Sequence, residues 1–107
     1  MAITAGSRGG LEIWRPGPTF TEATDVAFAL GERGPDVVVD LTGFSPHDTA
    51  DLGALVDGVR QFHAEGGRPI VMCPAPGTRL LLRSTGIDRA VPVVPDMATV
   101  RLHAPDQ

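Results

Sequence analysis

Short apolar runs divide the chain into predicted strands. In LEIWR, residues 11 to 15, apolar and polar positions alternate as in a half-buried strand, and AIT at 2 to 4 is predicted to pair with it as an N-terminal β-hairpin. DVVVDL at 36 to 41 is a continuous β-branched run, typical of a strand covered on both faces of a parallel sheet. PIVMC at 69 to 73 and AVPVV at 90 to 94 predict two more strands. The sheet should therefore have four to five strands.

Apolar residues at helical spacing fill the segments between these strands. Thr19 and Glu22 have the spacing of a capping box, which predicts the start of a first helix that ends at the glycines of 31 to 34. A second helix, the longest, is predicted from Asp48 to the glycine pair at 66 to 67 because an amphipathic stripe runs along it. The stripe consists of Leu52, Leu55, Val56, Val59 and Phe62.

Two shorter helices are predicted in the last third of the chain. PGTRLLLRSTG, 76 to 86, has a proline suited to a first helical turn and a glycine suited to a helix end. DMATVRLH, 96 to 103, predicts a closing helix that would place Met97, Val100 and Leu102 against the sheet. Because strands and helices alternate, we predict a layered α/β fold with a mostly parallel sheet and about four helices packed mainly on one face.

Composition narrows the classes of function. A chain of 107 residues, 42% hydrophobic and 21% charged, has the size and usage of one globular domain. The net charge of -4 leaves no basic excess for nucleic acid or an anionic membrane surface. No apolar run approaches the roughly 20 residues of a spanning helix, no secretory signal is visible, and the single cysteine excludes an internal disulfide. We therefore expect a cytoplasmic protein without nucleic-acid or membrane partners.

The segment DLTGFSPHDTADLG, 40 to 53, is the first candidate site. Asp40 ends a buried strand, Pro46 closes a loop, and Thr49 falls in the first turn of the following helix. A hydroxyl group at that position would be exposed beside unpaired N–H groups and the positive end of the helix dipole, which tolerates an added phosphate. Asp and Thr are also preferred there as helix caps. The segment is thus either a cap or a phosphorylation switch.

This segment resembles the signature of STAS domains, the family of bacterial anti-sigma factor antagonists. In that family a buried strand ends in Asp, an apolar residue and Ser or Thr, and Asp-Ser opens the next helix; DLTGF and DT correspond to these here. RLLLRSTGIDRAVPV, 79 to 93, is similar to the family's segment of paired leucines, Thr-Gly-apolar and a final strand. The resemblance covers about residues 10 to 100 and implies a single STAS-like domain spanning 1 to 107.

The resemblance implies a regulator that acts by binding, without enzymatic activity or a cofactor of its own. The unphosphorylated form would bind an anti-sigma factor that is also a serine/threonine kinase, with ATP bound by that partner, and so release a sigma factor for transcription. Thr49 corresponds to the family's phosphorylated hydroxyl. The implied partner-binding residues are Gly43, Phe44, Ser45, Pro46, His47, Asp48, Ala50, Asp51 and Leu52. A monomer and a homodimer are equally compatible with this scheme.

Two positions beside Thr49 depart from the family pattern. Ala50 replaces the usual hydroxyl residue, and Asp51 replaces the usual glycine. Asp48 and Asp51 would oppose the about -1.5 to -2 charge of a phosphothreonine, whereas the helix dipole would favour it. The alternative is therefore a STAS module that is not phosphorylated and serves as a ligand-binding or scaffold subunit of a sensory or transporter complex.

The second candidate site is CPAPGTR, 73 to 79. Cys73 and Arg79 have the spacing of the phosphate-binding loop in cysteine-dependent phosphatases. Pro74 and Pro76, however, remove two N–H donors that such a loop requires, and no histidine precedes the cysteine. We therefore predict that Cys73 is a small buried strand residue.

Metal binding is not indicated by the three histidines. His47, His63 and His103 lack ligand-pair spacing and companion cysteines, and we predict that they are solvated surface residues. Trp14 and Phe20 are predicted to pack in the core or the hairpin, because no basic residues surround them as they would a nucleic-acid stacking platform.

Overall fold

Strands and helices alternate along the chain. The computed structural model describes residues 11–16, 22–44 and 49–103. The elements in this part are β1 (Leu11–Trp14), α1 (Ala23–Arg33), β2 (Asp36–Asp40), α2 (Thr49–Ala64), β3 (Arg68–Met72), α3 (Pro76–Ser84), β4 (Val93–Val94) and α4 (Met97–His103). A 3₁₀ turn at Ile87–Arg89 connects α3 to β4. The predicted layered α/β class is confirmed.

The four described strands form a parallel sheet in chain order, β1-β2-β3-β4. Each strand therefore lies beside its predecessor, and α1, α2 and α3 are the three crossover helices between successive strands. The last strand is short: β4 contains two residues where the sequence predicted five. The predicted hairpin partner at 2 to 4 lies outside the described residues.

The larger core lies between the sheet and helices α1, α2 and α3. The strands supply Val37, Val39 and Val71, each at most 2% exposed. The helices and the 3₁₀ turn cover them with Leu30, Leu55, Val59, Leu82 and Ile87. Trp14 is half-buried and packs against this core, which confirms its predicted packing role. Phe20 lies outside the described residues.

A smaller core lies on the opposite face, under α4. Val38, Ile70, Met72, Val94 and Val100 are buried there, and Met97 packs against them. The helices thus lie three on one face and one on the other, as predicted. The prediction for Leu102 is wrong, because its side chain is 82% exposed. Leu102 follows Val100 by two positions, which is about 200° around a helix, so both residues cannot face the sheet.

Helix α1 begins later than its sequence motif predicted. Its first residue is Ala23, and Glu22 is the N-cap without a side-chain capping hydrogen bond, so the predicted capping box is wrong. Thr19 lies outside the described residues. The helix continues through Gly31 and ends at Gly34, whose φ of 110° lies in the left-handed region that favours glycine. Spacing alone therefore misplaced the start of α1, whereas glycine marked its end.

Helix α2 ends in a Schellman motif at the predicted glycine pair. The Gly67 N–H donates to the Phe62 carbonyl and the Gly66 N–H donates to the His63 carbonyl, both at 3.0 Å. Gly66 has a φ of 102°, which the motif requires. Gly58 lets α1 and α2 pack closely, because a Cβ atom added there would lie 2.4 Å from the Val26 Cβ. These glycines position the longest helix against the sheet.

Candidate functional site

The carboxyl ends of β1 and β2 meet at a hydrogen-bonded network. Asp40, the last residue of β2, is only 4% exposed. Its Oδ2 accepts a hydrogen bond from the Arg15 Nε at 2.7 Å. Its Oδ1 accepts two more, from the Thr42 backbone N–H at 2.9 Å and from the Thr42 hydroxyl at 2.6 Å. One buried carboxylate therefore joins the two strand ends to the loop that follows β2.

The network keeps Asp40 ionised. Burial by itself would raise the pKa of this carboxyl, but the hydrogen bonds from Thr42 and then from Arg15 outweigh burial and hold the pKa below its ordinary value. Hydrogen bonds to an ionised acceptor are stronger than those between neutral groups. The charge on Asp40 thus strengthens the contacts that order Thr42.

The loop leaves β2 through a tight turn. The Phe44 N–H donates to the Leu41 carbonyl at 2.9 Å, and Gly43 has a φ of 77°, as in a type II turn. Gly43 is exposed, whereas Phe44 is half-buried and packs against the larger core. Of the predicted partner-binding residues, Gly43 therefore faces solvent, and Phe44 has only part of its surface available.

Helix α2 begins at Thr49, so this residue lies in the first turn as predicted. Ala50 is the second helical residue, and Asp51 follows at a position where the helix dipole favours a carboxylate. Leu52 is half-buried and packs against the larger core, which leaves part of its side chain exposed. The remaining predicted partner-binding residues, Ser45, Pro46, His47 and Asp48, lie outside the described residues.

Helix α3 begins at the same edge of the sheet, because each helix follows the carboxyl end of a parallel strand. Leu82 is buried, but Leu80 and Leu81 are 68% and 48% exposed. Successive helical side chains are about 100° apart, so three consecutive leucines cannot all face one core. This exposed pair was not among the predicted site residues, although the LLL run contains the signal for it.

In the second candidate site, residues 73 to 79, Cys73 is buried and Arg79 binds backbone carbonyls of the same segment. Cys73 is fully buried, and its N–H continues the sheet by donating to the Val94 carbonyl at 2.8 Å. Burial raises the pKa of the Cys73 thiol, outweighing the lowering contributions of the Ala75 hydrogen bond and Arg79. The Arg79 Nη1 donates to the carbonyls of Cys73 and Pro74, at 2.9 and 3.0 Å. Cys73 is buried as predicted, but it lies one residue beyond the end of β3 instead of within the strand.

Two of the three histidines, 40 positions apart in the sequence, line the same cavity. His63 and His103 are exposed, as predicted, but both line one cavity at the amino edge of the sheet. His47 lies outside the described residues. In the part of the chain that is described, no three His, Cys, Asp or Glu side chains form a group that could hold a metal ion.

Among the described helices, none has the length and apolar character needed to cross a bilayer.

Comparison with known proteins supports the fold assignment. No known family pattern matches the chain, and no curated protein sequence does. The solved NMR structure of the protein TM1081 is similar, with a TM-score of 0.63 and 16% sequence identity. The alignment covers 89% of this chain and 82% of that chain. At this identity the similarity shows a shared layered α/β fold.

Proposed function

We propose that this chain is a STAS-type anti-sigma factor antagonist that acts in the bacterial cytoplasm by binding an anti-sigma factor with a kinase domain. The observation that carries the proposal is the position of Thr49 as the first residue of α2, at the carboxyl edge of the sheet. The helix dipole there favours a phosphate on the threonine.

The surroundings of Thr49 also support a docking surface. The preceding loop is anchored by Asp40 through Thr42, and the Phe44 N–H donates to the Leu41 carbonyl, so the turn through Gly43 and Phe44 is ordered before a partner binds. Preorganisation of this kind lowers the entropy cost of association. The exposed leucines 80 and 81 extend apolar surface along α3, which begins at the same edge. A partner could therefore contact the loop, the start of α2 and the face of α3 together.

Phosphorylation of Thr49 would work against this contact. A phosphothreonine adds about -1.5 to -2 charges, two positions from Asp51, to a surface that must be desolvated when the partner binds. A loss of about 2 to 3 kcal/mol would weaken binding roughly 30- to 150-fold, which is sufficient for a switch. The kinase activity and the ATP site belong to the partner in this scheme, and sigma factor release couples the switch to transcription.

The test compares wild type, Thr49→Glu and Thr49→Gln for binding to each kinase-type anti-sigma factor encoded in the source genome. Gln matches Glu in size without its charge. We expect wild type and Thr49→Gln to bind one of these factors, and Thr49→Glu to bind it more weakly by about 30-fold or more. Incubation with that factor and ATP should add one phosphate to wild type and none to Thr49→Val, as read by intact mass. Equal binding by all three proteins would refute the switch.

The second candidate function is a STAS module without phosphorylation, acting as a ligand-binding or scaffold subunit of a sensory or transporter complex. The feature that favours it is Asp51, which already places a carboxylate in the first turn of α2. It predicts no mass increase with any of the kinases and no difference between Thr49→Glu and Thr49→Gln in any complex.

A further inference from the structure

A cavity of about 310 Å³ opens at the amino edge of the sheet, the edge opposite Thr49. Its apolar wall is formed by the start of β3 and by the segment that leads into β4. The apolar residues are Pro69, Ile70, Ala90, Val91 and Pro92. A volume of this size lies at the lower end of the range for small-molecule sites. The cavity therefore suits a compact ligand with an apolar body.

The polar wall of the cavity consists of nitrogen groups. His63, near the end of α2, and His103, at the end of α4, approach from opposite layers, and Arg68 begins β3 between them. The His63 Nδ1 lies 3.2 Å from the Gly67 carbonyl, and by donating to it orients the ring. Arg68 uses Nε and Nη2 to bind Asp36, and its Nη1 makes no hydrogen bond with any described residue. These groups can converge on one acidic ligand.

The described polar side chains that line the cavity favour an anionic ligand over a cationic one, because they offer hydrogen-bond donors and no carboxylate. None of the described lining residues is acidic, and the nearby carboxylate of Asp36 has both oxygens occupied by Arg68. The end of α2 would ordinarily present unpaired carbonyls, which repel anions. Here the carbonyls of Phe62 and His63 already accept N–H donors from the glycine pair 66 to 67. Nitrogen donors are therefore the polar groups that the lining side chains offer to a ligand.

We propose that this cavity binds a small organic acid. The carboxylate interacts with the Arg68 Nη1 and the imidazoles of His63 and His103, and the apolar body packs on Pro69 and Val91. Binding bridges the ends of α2 and α4, which lie on opposite faces of the sheet. The proposal is independent of the phosphorylation switch, because no residue of the cavity belongs to the Thr49 surface.

The experiment is an amide NMR titration of the whole chain with benzoate as the probe. Acetate, which lacks the apolar body, and benzylammonium, which reverses the charge, are the matched control ligands. We expect benzoate to shift the amide signals of His63, Arg68, Ile70, Ala90, Val91 and His103 along one saturable curve, with a dissociation constant of about 1 to 10 mM. Both control ligands should leave these signals in place. Absence of saturable shifts, or equal shifts with benzylammonium, would overturn the proposal.

A pair of variants at the exposed Ala90 tests the charge preference without altering the buried wall. Ala90→Glu adds a carboxylate at the cavity, and Ala90→Gln adds the same bulk without charge. We expect Ala90→Glu to weaken benzoate binding about five- to tenfold relative to Ala90→Gln, because like charges repel at short range. Equal affinities would contradict an anion site. Thr49→Glu should bind benzoate as wild type does, so the result stays separate from the test of the switch.

Discussion

Strand β2 carries a buried aspartate at each end, and the two have different partners. Asp36, at the amino end, receives two hydrogen bonds from one residue of β3, the Arg68 Nε at 2.7 Å and Nη2 at 2.9 Å. Asp40, at the carboxyl end, divides its oxygens between Arg15 on the β1 side and Thr42 in the loop. Each oxygen of the first carboxylate accepts a hydrogen bond from the same guanidinium group, whereas the second carboxylate connects three segments of chain.

The difference separates a contact that serves stability from one that serves the candidate site. Asp36 and Arg68 are register partners in β2 and β3, so their ion pair fixes the alignment of two central strands. Asp40 instead lies at the fixed end of a central strand and holds Thr42, and with it the turn before Thr49, by hydrogen bonds. In both pairs the arginine side chain is largely exposed, which limits the net energy of each ion pair.

The largest effect should come from removing an arginine at the amino end. Arg68→Met leaves the buried Asp36 carboxylate without either of its two donors, and we expect it to lower the free energy of unfolding more than Arg15→Met or Asp40→Ala does. The matched variant Arg15→Met should cost less than about 1 kcal/mol, because Asp40 keeps both bonds from Thr42. Urea unfolding of the two variants measures the difference. Equal losses would show that the two aspartates are equivalent.

Removing the carboxylate at the other end should affect the loop more than global stability. We expect Asp40→Ala to lower the free energy of unfolding by about 1 to 2 kcal/mol and to accelerate amide hydrogen exchange at Thr42 and Phe44. Asp36→Ala should leave exchange at these two amides unchanged. Acceleration of loop exchange by both variants would mean that Asp40 does not order the loop specifically.

The sequence predicted the elements well where the signal was local. The β-branched run 36 to 41 predicted β2, and the apolar stripe with its glycine pair predicted α2 and the site of its end. The two ion pairs could not be found in this way, because their partners lie 32 and 25 positions apart and meet only once strand register is set. The cavity depends on the same long-range assembly, which brings His63 and His103 together from two helices.

In the candidate site, too, features with a local sequence signal were predicted, whereas features that depend on long-range packing were not. Thr49 could be placed at the start of α2 from sequence, because helix starts leave strong local signals. Leu52 packs against the core as its place in the apolar stripe of α2 predicted. The burial of Phe44 was not predicted, since the place of this residue depends on how the loop turns at Gly43. The prediction for Leu102 was wrong because its apolar character alone suggested burial, although it lies about 200° around the helix from the buried Val100.

A smaller effect is expected from Thr42, which contributes a hydroxyl and a backbone N–H to Asp40. Thr42→Val keeps the shape and the N–H but loses the hydroxyl bond of 2.6 Å, and should cost about 1 kcal/mol. Thr42→Ser restores the hydroxyl and should recover most of that loss. Thermal unfolding of the pair measures it. If serine and valine are equally destabilising, the side-chain bond does not contribute.

The smallest effect should appear in the pH dependence of stability. Because the folded-state pKa of Asp40 lies below its ordinary value, its ionised form stabilises the fold above that ordinary value. This contribution is lost as the pH falls through the lowered pKa. Wild type should therefore lose stability more steeply than Asp40→Asn between about pH 5 and the acid range, and the two should run parallel above about pH 5. Parallel curves at all pH values would contradict the lowered pKa.

The chain order of the described strands also bears on how the protein is made. Since β1, β2, β3 and β4 lie side by side in the order of translation, no strand has to insert between two that are already paired. Each crossover connects a strand to the strand just before it through a short stretch of chain, which keeps the entropy cost of each pairing step low. This strand order allows assembly from the amino end during synthesis, and the elements that cover the second face, β4 and α4, are the last of the described elements to be synthesised.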